Sequence, residues 1–354
     1  MHPYKKQPAY AFWRKAISEI DYQNIDPFVN HNFFIGSHEK IASAGSCFAQ
    51  HISRYLINEN INFYYAEKPH LLIPNNIQKD FSYLDFSARY GNIYTAKQLI
   101  QLFDRAFGIF TPQESSWKNK DGFWIDPFRP NIQPKGFRSE AELLADRYSH
   151  LLSVKEMFKN LDVFIFTLGL TEQWFSKIDG AVFPICPGVI AGKFNRKKYG
   201  FLNSSSEQIT SDLIAFNQKL TRINPKARII LTVSPVPLVA TAEDKHVLSS
   251  TTYSKSALRV ACEEIEKHFK NVCYFPSYEI ITASFSRGKY FSPDLREVTS
   301  EGVDHVMRIF LKLFSNQGNK IKKSYEINQT NRLISDIEKS SKLNCDEVAL
   351  EEKK

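Results

Sequence analysis

The chain has 354 residues, 43% of them hydrophobic, and its 28 Phe and 16 Tyr supply a sizeable core, which excludes a disordered chain. Its formal charge of +8 is spread over patches such as Lys193–Lys198 and Lys320–Lys323, the pattern of a solvated surface and not of a nucleic-acid face. Five cysteines (47, 186, 262, 273 and 345) contain no CxxC pair and are odd in number, which argues against a complete disulfide framework and fits a reducing cytoplasm. The amino terminus has no apolar signal-like run, and the longest apolar stretches are strand-sized, so neither export nor a membrane span is expected.

In chain order, Lys40–Ala44 reads as a short strand, Gly45 as a sharp turn, and Ser46 to about Asn58 as a helix. A second strand is expected at Ile61–Ala66. Continuous apolar runs at Asp162–Leu168 and Arg228–Val233 suit central parallel strands, and Val272–Phe275 a shorter one. Helical spacing of apolar residues marks Ala96–Phe107, Glu140–Asn160, Ser206–Ile223, Ser254–Lys270 and Ser300–Phe314. This alternation predicts an α/β fold, a three-layer α/β/α sandwich on a mainly parallel sheet. Residues 67–160, with Trp117, Trp124 and the turn Asp126–Pro130, read as an aromatic-rich insertion packed on the sandwich. The main domain is expected to span 1–315. Residues 316–354 form a charged tail, solvated or disordered.

Polar, Gly- or Pro-bearing residues follow each strand, the arrangement of a ligand site at the carboxyl ends of parallel strands. The first strand end carries the clearest chemistry. Gly45 takes a turn that a side chain would obstruct, and Ser46 and Cys47 then open a helix. The helix N-terminus, with unpaired N–H groups and a positive dipole end, favours a thiolate or a developing oxyanion. A reactive atom aimed into an open pocket is therefore expected here. Plain N-capping by Ser46 is the structural alternative.

Gly45-Ser46-Cys47-Phe48-Ala49 resembles the signature of the GSCFA family, bacterial proteins similar to SGNH/GDSL-type hydrolases. The resemblance continues through Gly91-Asn92-Ile93-Tyr94-Thr95-Ala96, Asp126-Pro127-Phe128-Arg129-Pro130 and Phe166-Thr167-Leu168-Gly169-Leu170-Thr171-Glu172. Thr232–Leu238, Tyr253–Ser256, Tyr274–Glu279 and Asp294–Thr299 follow in the same order. It implies an SGNH-like fold and an acyl-enzyme on the first helical turn. Ungapped, it puts Cys47 at the nucleophile position; a one-residue difference puts Ser46 there, and both stay open. Gly169 and Thr171 lie where the oxyanion glycine and asparagine are expected, with Thr171 offering a hydroxyl in place of an amide. Glu172 is a candidate acid, base or sugar-hydroxyl acceptor. Ser234 lies at the end of another core strand, and Arg129 is a candidate clamp for an anionic substrate group.

The departure from the pattern is at the expected Asp-x-x-His. Asp294 is kept, but Glu297 stands in the histidine's place, and a carboxylate is a weak base near neutrality unless burial raises it. His305, on the last helix, and His51, four residues after Cys47 on the same helical face, are the substitute imidazoles. Ser254-Lys255 is a further adjacent pair of interest. No ligand spacing for zinc and no phosphate-cradling glycine loop is present, so no metal or cofactor is expected. The leading expectation is an SGNH-like ester hydrolase or O-acyltransferase acting on an acylated carbohydrate or similar small molecule, although the resemblance by itself supplies no substrate. A non-catalytic glycan- or protein-binding module on the same fold is the alternative, favoured by the missing histidine and asparagine.

Overall fold

The computed structural model describes residues 2–29, 31, 33–59, 61–314 and 346–350. Among these, 37–274 with 346–350 cluster as one compact unit, and 2–36 with 275–314 as another.

The first unit is built on a parallel sheet. It begins with β1 (Ile41–Gly45) and α1 (Cys47–Asn58), continues through the short α2 (Asn75–Asp80) to α3 (Ala96–Ala106), then the two-residue strands β2 (Trp117–Lys118) and β3 (Trp124–Ile125) and the long α4 (Glu140–Asn160). Next come β4 (Val163–Leu168), β5 (Glu172–Ser176), β6 (Val182–Phe183), β7 (Tyr199–Asn203) and α5 (Ser206–Ile223). The unit closes with β8 (Arg228–Val233), α6 (Val247–His268) and β9 (Val272–Tyr274). The central sheet has the order β1-β4-β8-β9, every pairing parallel. All residues of β1 and β4 are buried, which is why these segments read as unbroken apolar or small runs and not as an alternating pattern. The α/β sandwich with a parallel centre is as the alternation predicts. α1 packs on β1 and β4, and α6 on β8 and β9; α5 packs on α6 and on α3.

The expected strand at 61–66 shrinks to a single bridge. Asn62 O and Tyr64 N–H bond to the two sides of Ile41, and the chain then leaves, with Ala66 N–H bonding to Ser87 O. A small antiparallel sheet, β6-β5-β7, follows β4 directly. Trp117, Ile125 and Phe128 from the aromatic-rich segment pack with Phe183 and Tyr199 of this sheet in one apolar cluster.

The other unit carries short 3-10 and π turns between Pro3 and Asn24, α7 (Ser277–Thr282) and α8 (Ser300–Phe310), with a 3-10 turn at Leu311–Leu313 completing the helix expected to reach Phe314. Tyr22 OH and Gln23 Nε2 donate to the Glu301 carboxylate at 2.6 and 2.7 Å, which fixes the amino-terminal segment to the first turn of α8.

The β1–α1 junction is sterically defined. Gly45 sits opposite Thr167 in the β1–β4 register with φ of +151°, and a Cβ there would lie 2.6 Å from Thr167 O and 2.7 Å from Thr167 Cβ. The contact is with backbone, which cannot yield as a side chain would. Gly45→Ala should therefore lower the unfolding free energy by at least about 2 kcal/mol, from strain plus overlap. A urea midpoint unchanged from wild type would contradict this reading of the bend.

Candidate functional site

Ser46 is the N-cap of α1, with extended backbone (φ −75°, ψ −179°) and its N–H on Thr167 O at 3.2 Å. Its hydroxyl makes no capping bond. Ser46 Oγ is instead buried without a hydrogen-bond partner, as is Thr167 Oγ1 at the same end of the sheet. Buried hydroxyls normally find partners, so two unsatisfied ones at one strand end call for an explanation. Cys47 is the first helical residue and, like Ser46, is buried: their exposures are 6% and 3%. Contrary to expectation, neither side chain opens into a pocket among the described residues. Tyr94 and Gly169 close in on the bend, for a Cβ on Gly169 would lie 3.0 Å from Ser46 Cβ and 3.2 Å from the Tyr94 ring.

Gly169 thus lies against Ser46, as the resemblance implies, but its donors are committed elsewhere. The N–H groups of Gly169 and Leu170 both donate to Tyr94 O, at 2.9 and 3.1 Å. Thr171 N–H donates to Ser254 Oγ at 3.2 Å, and its hydroxyl to Asn203 Oδ1 at 2.6 Å. The buried Lys255 Nζ donates to Gly169 O at 2.7 Å, so the Ser254-Lys255 pair braces this turn from α6. As placed, Gly169 and Thr171 offer no oxyanion donor; they fix the turn that borders Ser46. Glu172 is likewise a brace, accepting from Thr241 Oγ1 at 2.5 Å and Ala242 N–H at 3.0 Å. Ser234 is buried, bonds Leu168 O through its N–H, and accepts from Val236 N–H in its own turn.

The imidazoles are poor bases. His51 packs edge-on against Phe48, ring centroids 5.7 Å apart, and burial with the Arg54 charge pulls its pKa down to about 4. His305, in the other unit, is buried with both ring nitrogens engaged: Nε2 on Ile25 O at 2.8 Å and Nδ1 on Tyr290 OH at 2.7 Å. A carbonyl only accepts, so Nε2 carries the proton and Nδ1 accepts from the tyrosine, the neutral tautomer that burial also favours. His305 is a packing residue of its unit. Asp294 is exposed, and its Oδ1 accepts from the N–H groups of Arg296 and Glu297 at 3.0 and 3.1 Å, so it shapes its own turn; Glu297 is also exposed.

Arg129 is no free clamp. Its guanidinium bonds Asp126 at 2.9 Å, Asp146 at 2.7 Å and Arg89 O at 3.4 Å. Asp126 also accepts from Arg147 and from Phe128 N–H, while Arg89 reaches Asp146 at 3.0 Å. This buried network ties the 126–132 turn to α4.

The groups that do converge on open space were not singled out from the sequence. A small cleft of about 20 Å³ is lined by Gln50, Tyr90, Asn92, Phe128, Asn131 and Asp346 among others. Gln50, one turn beyond Ser46 on α1, donates to Asn92 Oδ1 at 3.4 Å, and Ile93 N–H bonds Gly45 O at 2.9 Å. The cleft thus adjoins the β1–α1 bend through α1 and through Asn92–Tyr94. Asn92 and Tyr94 belong to the quoted Gly91–Ala96 block, so the signal was present in the sequence; Asp346 lies in the tail, where none was. Among the described residues no cluster of His, Cys, Asp or Glu could hold a metal, and no helix is long and apolar enough to cross a membrane.

A model of the GSCFA family matches residues 40–310. The chain belongs to the GSCFA family. A GSCFA chain was thus correctly foreseen from its scattered blocks, from the bend at Gly45 to the turn at Asp294. No curated protein matches. Among solved structures, a family 3 carbohydrate esterase of Clostridium thermocellum is similar at TM-score 0.33 and 10% identity, over 77% of this chain and 94% of that one. An acetyl xylan esterase from the rumen bacterium Butyrivibrio proteoclasticus is similar at TM-score 0.31 and 14% identity, over 83% and 66%. Both likenesses are loose.

Burial by itself raises the Asp126 carboxyl, but the Arg147 and Arg129 charges outweigh it and hold the group well below the ordinary carboxylate range. A folded-state pKa depressed in this way stabilises the protein above the unfolded value near 3.8, and that stability is lost as pH falls through it toward the folded value. Asp126→Asn should cost about 3–5 kcal/mol at pH 7 by removing the buried carboxylate charge that the Arg129 and Arg147 guanidiniums share. It should also flatten the acid limb of stability; an equally steep acid limb in urea titrations of wild type and variant would contradict the assignment.

Proposed function

We propose that this GSCFA chain is an acyl-ester enzyme, a hydrolase or O-acyltransferase acting on an acyl group of a carbohydrate, with Ser46 as nucleophile. The observation that carries the reading is the Ser46 hydroxyl: buried, without a partner and not capping its helix, it stands at a glycine bend at the carboxyl end of a parallel sheet. Its Oγ attacks the acyl carbonyl carbon and its proton passes to a base. The tetrahedral oxyanion collapses with departure of the sugar oxygen, which takes up a proton. Water or a second sugar hydroxyl then attacks the acyl-serine and restores Ser46. First-turn amides of α1 are the proposed oxyanion donors in place of Gly169 and Thr171.

The second reading, a binding module that keeps the fold, is favoured by one observation: Gly169 and Thr171 donate to protein partners. Prolonged incubation with a fluorophosphonate and turnover of an aryl acetate separate the two. Wild type and Cys47→Ala should both label and turn over, whereas Ser46→Ala should lose label and about a thousandfold or more in rate. No label on folded wild-type protein would favour the binding module, and label lost only in Cys47→Ala would move the nucleophile to the thiol.

A further inference from the structure

The cleft beside α1 is already occupied. Residues Asp346–Leu350 form a 3-10 turn whose first residue buries its side chain against Asn92, Tyr94 and Asn131, 4% exposed. Its carboxylate accepts from Asn92 Nδ2 at 3.1 Å, from Tyr94 OH at 3.3 Å, and from Asn131 Nδ2. The Asp346 N–H returns a bond to Tyr94 OH at 3.1 Å. Three donors from two separate segments of the chain thus converge on one pair of carboxylate oxygens. The lining cation, Arg129, gives its hydrogen bonds to Asp126, Asp146 and Arg89 O, so the carboxylate is held by neutral donors.

We propose that the Asn92–Tyr94–Asn131 cleft is a carboxylate-binding site, and that Asp346 is its built-in occupant, excluding any carboxylate ligand while the 346–350 turn is seated. The donor geometry matches the two oxygens of a carboxylate, and Phe86, Tyr90, Phe128 and Pro130 give the cleft an apolar and aromatic lining for the carbon skeleton behind it. Burial raises the Asp346 carboxyl above its ordinary value, and the hydrogen bonds of Asn92, Asn131 and Tyr94 do not fully offset that penalty. A free ligand that brings the same two oxygens meets the same donors once the segment has left. The net charge of +8 favours the approach of such an anion. The inference stands apart from the chemistry assigned to Ser46, since its test reads binding and not turnover.

The test titrates acetate, glucuronate and, as a neutral control, glucose into full-length protein by calorimetry. Asp346→Ala should bind a carboxylate at least about tenfold more tightly than wild type, because the competing internal ligand is gone. Adding Asn131→Ala to that variant should abolish the gain. Tight binding of acetate identifies a small free acid as the fitting ligand, and preference for glucuronate identifies a sugar acid. Equal affinities in wild type and Asp346→Ala, or binding of glucose as well as glucuronate, would overturn the proposal. Should Asp346→Ala fail to fold, hydrogen exchange on wild type decides. Protection of the 346–350 amides should fall on saturation with acetate or glucuronate but not with glucose; unchanged exchange with all three refutes it.

Discussion

The candidate site depends on one close approach, that of Gly45 to the backbone of Thr167. With no Cβ, β1 comes close enough to β4 for Ser46 N–H to bond Thr167 O, and α1 starts immediately afterwards. This position sets the Ser46 hydroxyl against Gly169 and the Tyr94 ring. The same bend is latched from the other side by Ile93 N–H on Gly45 O, which brings Asn92 and Tyr94 to the first turns of α1. A bulkier residue at 45 would separate β1 from β4 and disperse all of these groups at once.

The turn after β4 is over-determined. Tyr94 O, Ser254 Oγ and Asn203 Oδ1 take its donors, and Lys255 Nζ takes the Gly169 carbonyl. Such a turn holds its shape beside Ser46. Adaptability lies on the opposite wall, where Asn92 and Asn131 hold a side chain of the chain's own C-terminal segment.

The parallel core was legible because its strands are buried on both faces: Val163–Leu168 and Arg228–Val233 have no polar alternation to confuse with another element. The helices with strong caps were equally plain, as at Ser205 and Thr95, each closing a capping box. Ile61–Ala66 misled because apolar residues there leave β1 after two hydrogen bonds, a decision made by Ser87, far along the chain. His305 looked like a base on its helix face; its role is set by Ile25 and Tyr290, which spacing along the helix does not reveal. Gly169 lies against Ser46, but which atoms it and Thr171 donate to is decided by Tyr94, Ser254 and Asn203. Asp346 had no local signal at all, for a carboxylate in a charged tail is read as solvated until its partners are seen.

The most direct test of the account is peptide mapping by mass spectrometry after wild-type protein is mixed with an aryl acetate and quenched in acid. The account predicts an acetyl group on Ser46 that accumulates and then turns over, and that is missing when Gly45 is replaced in protein that still folds. An unmodified Ser46 peptide, with ester cleavage proceeding normally, would contradict it.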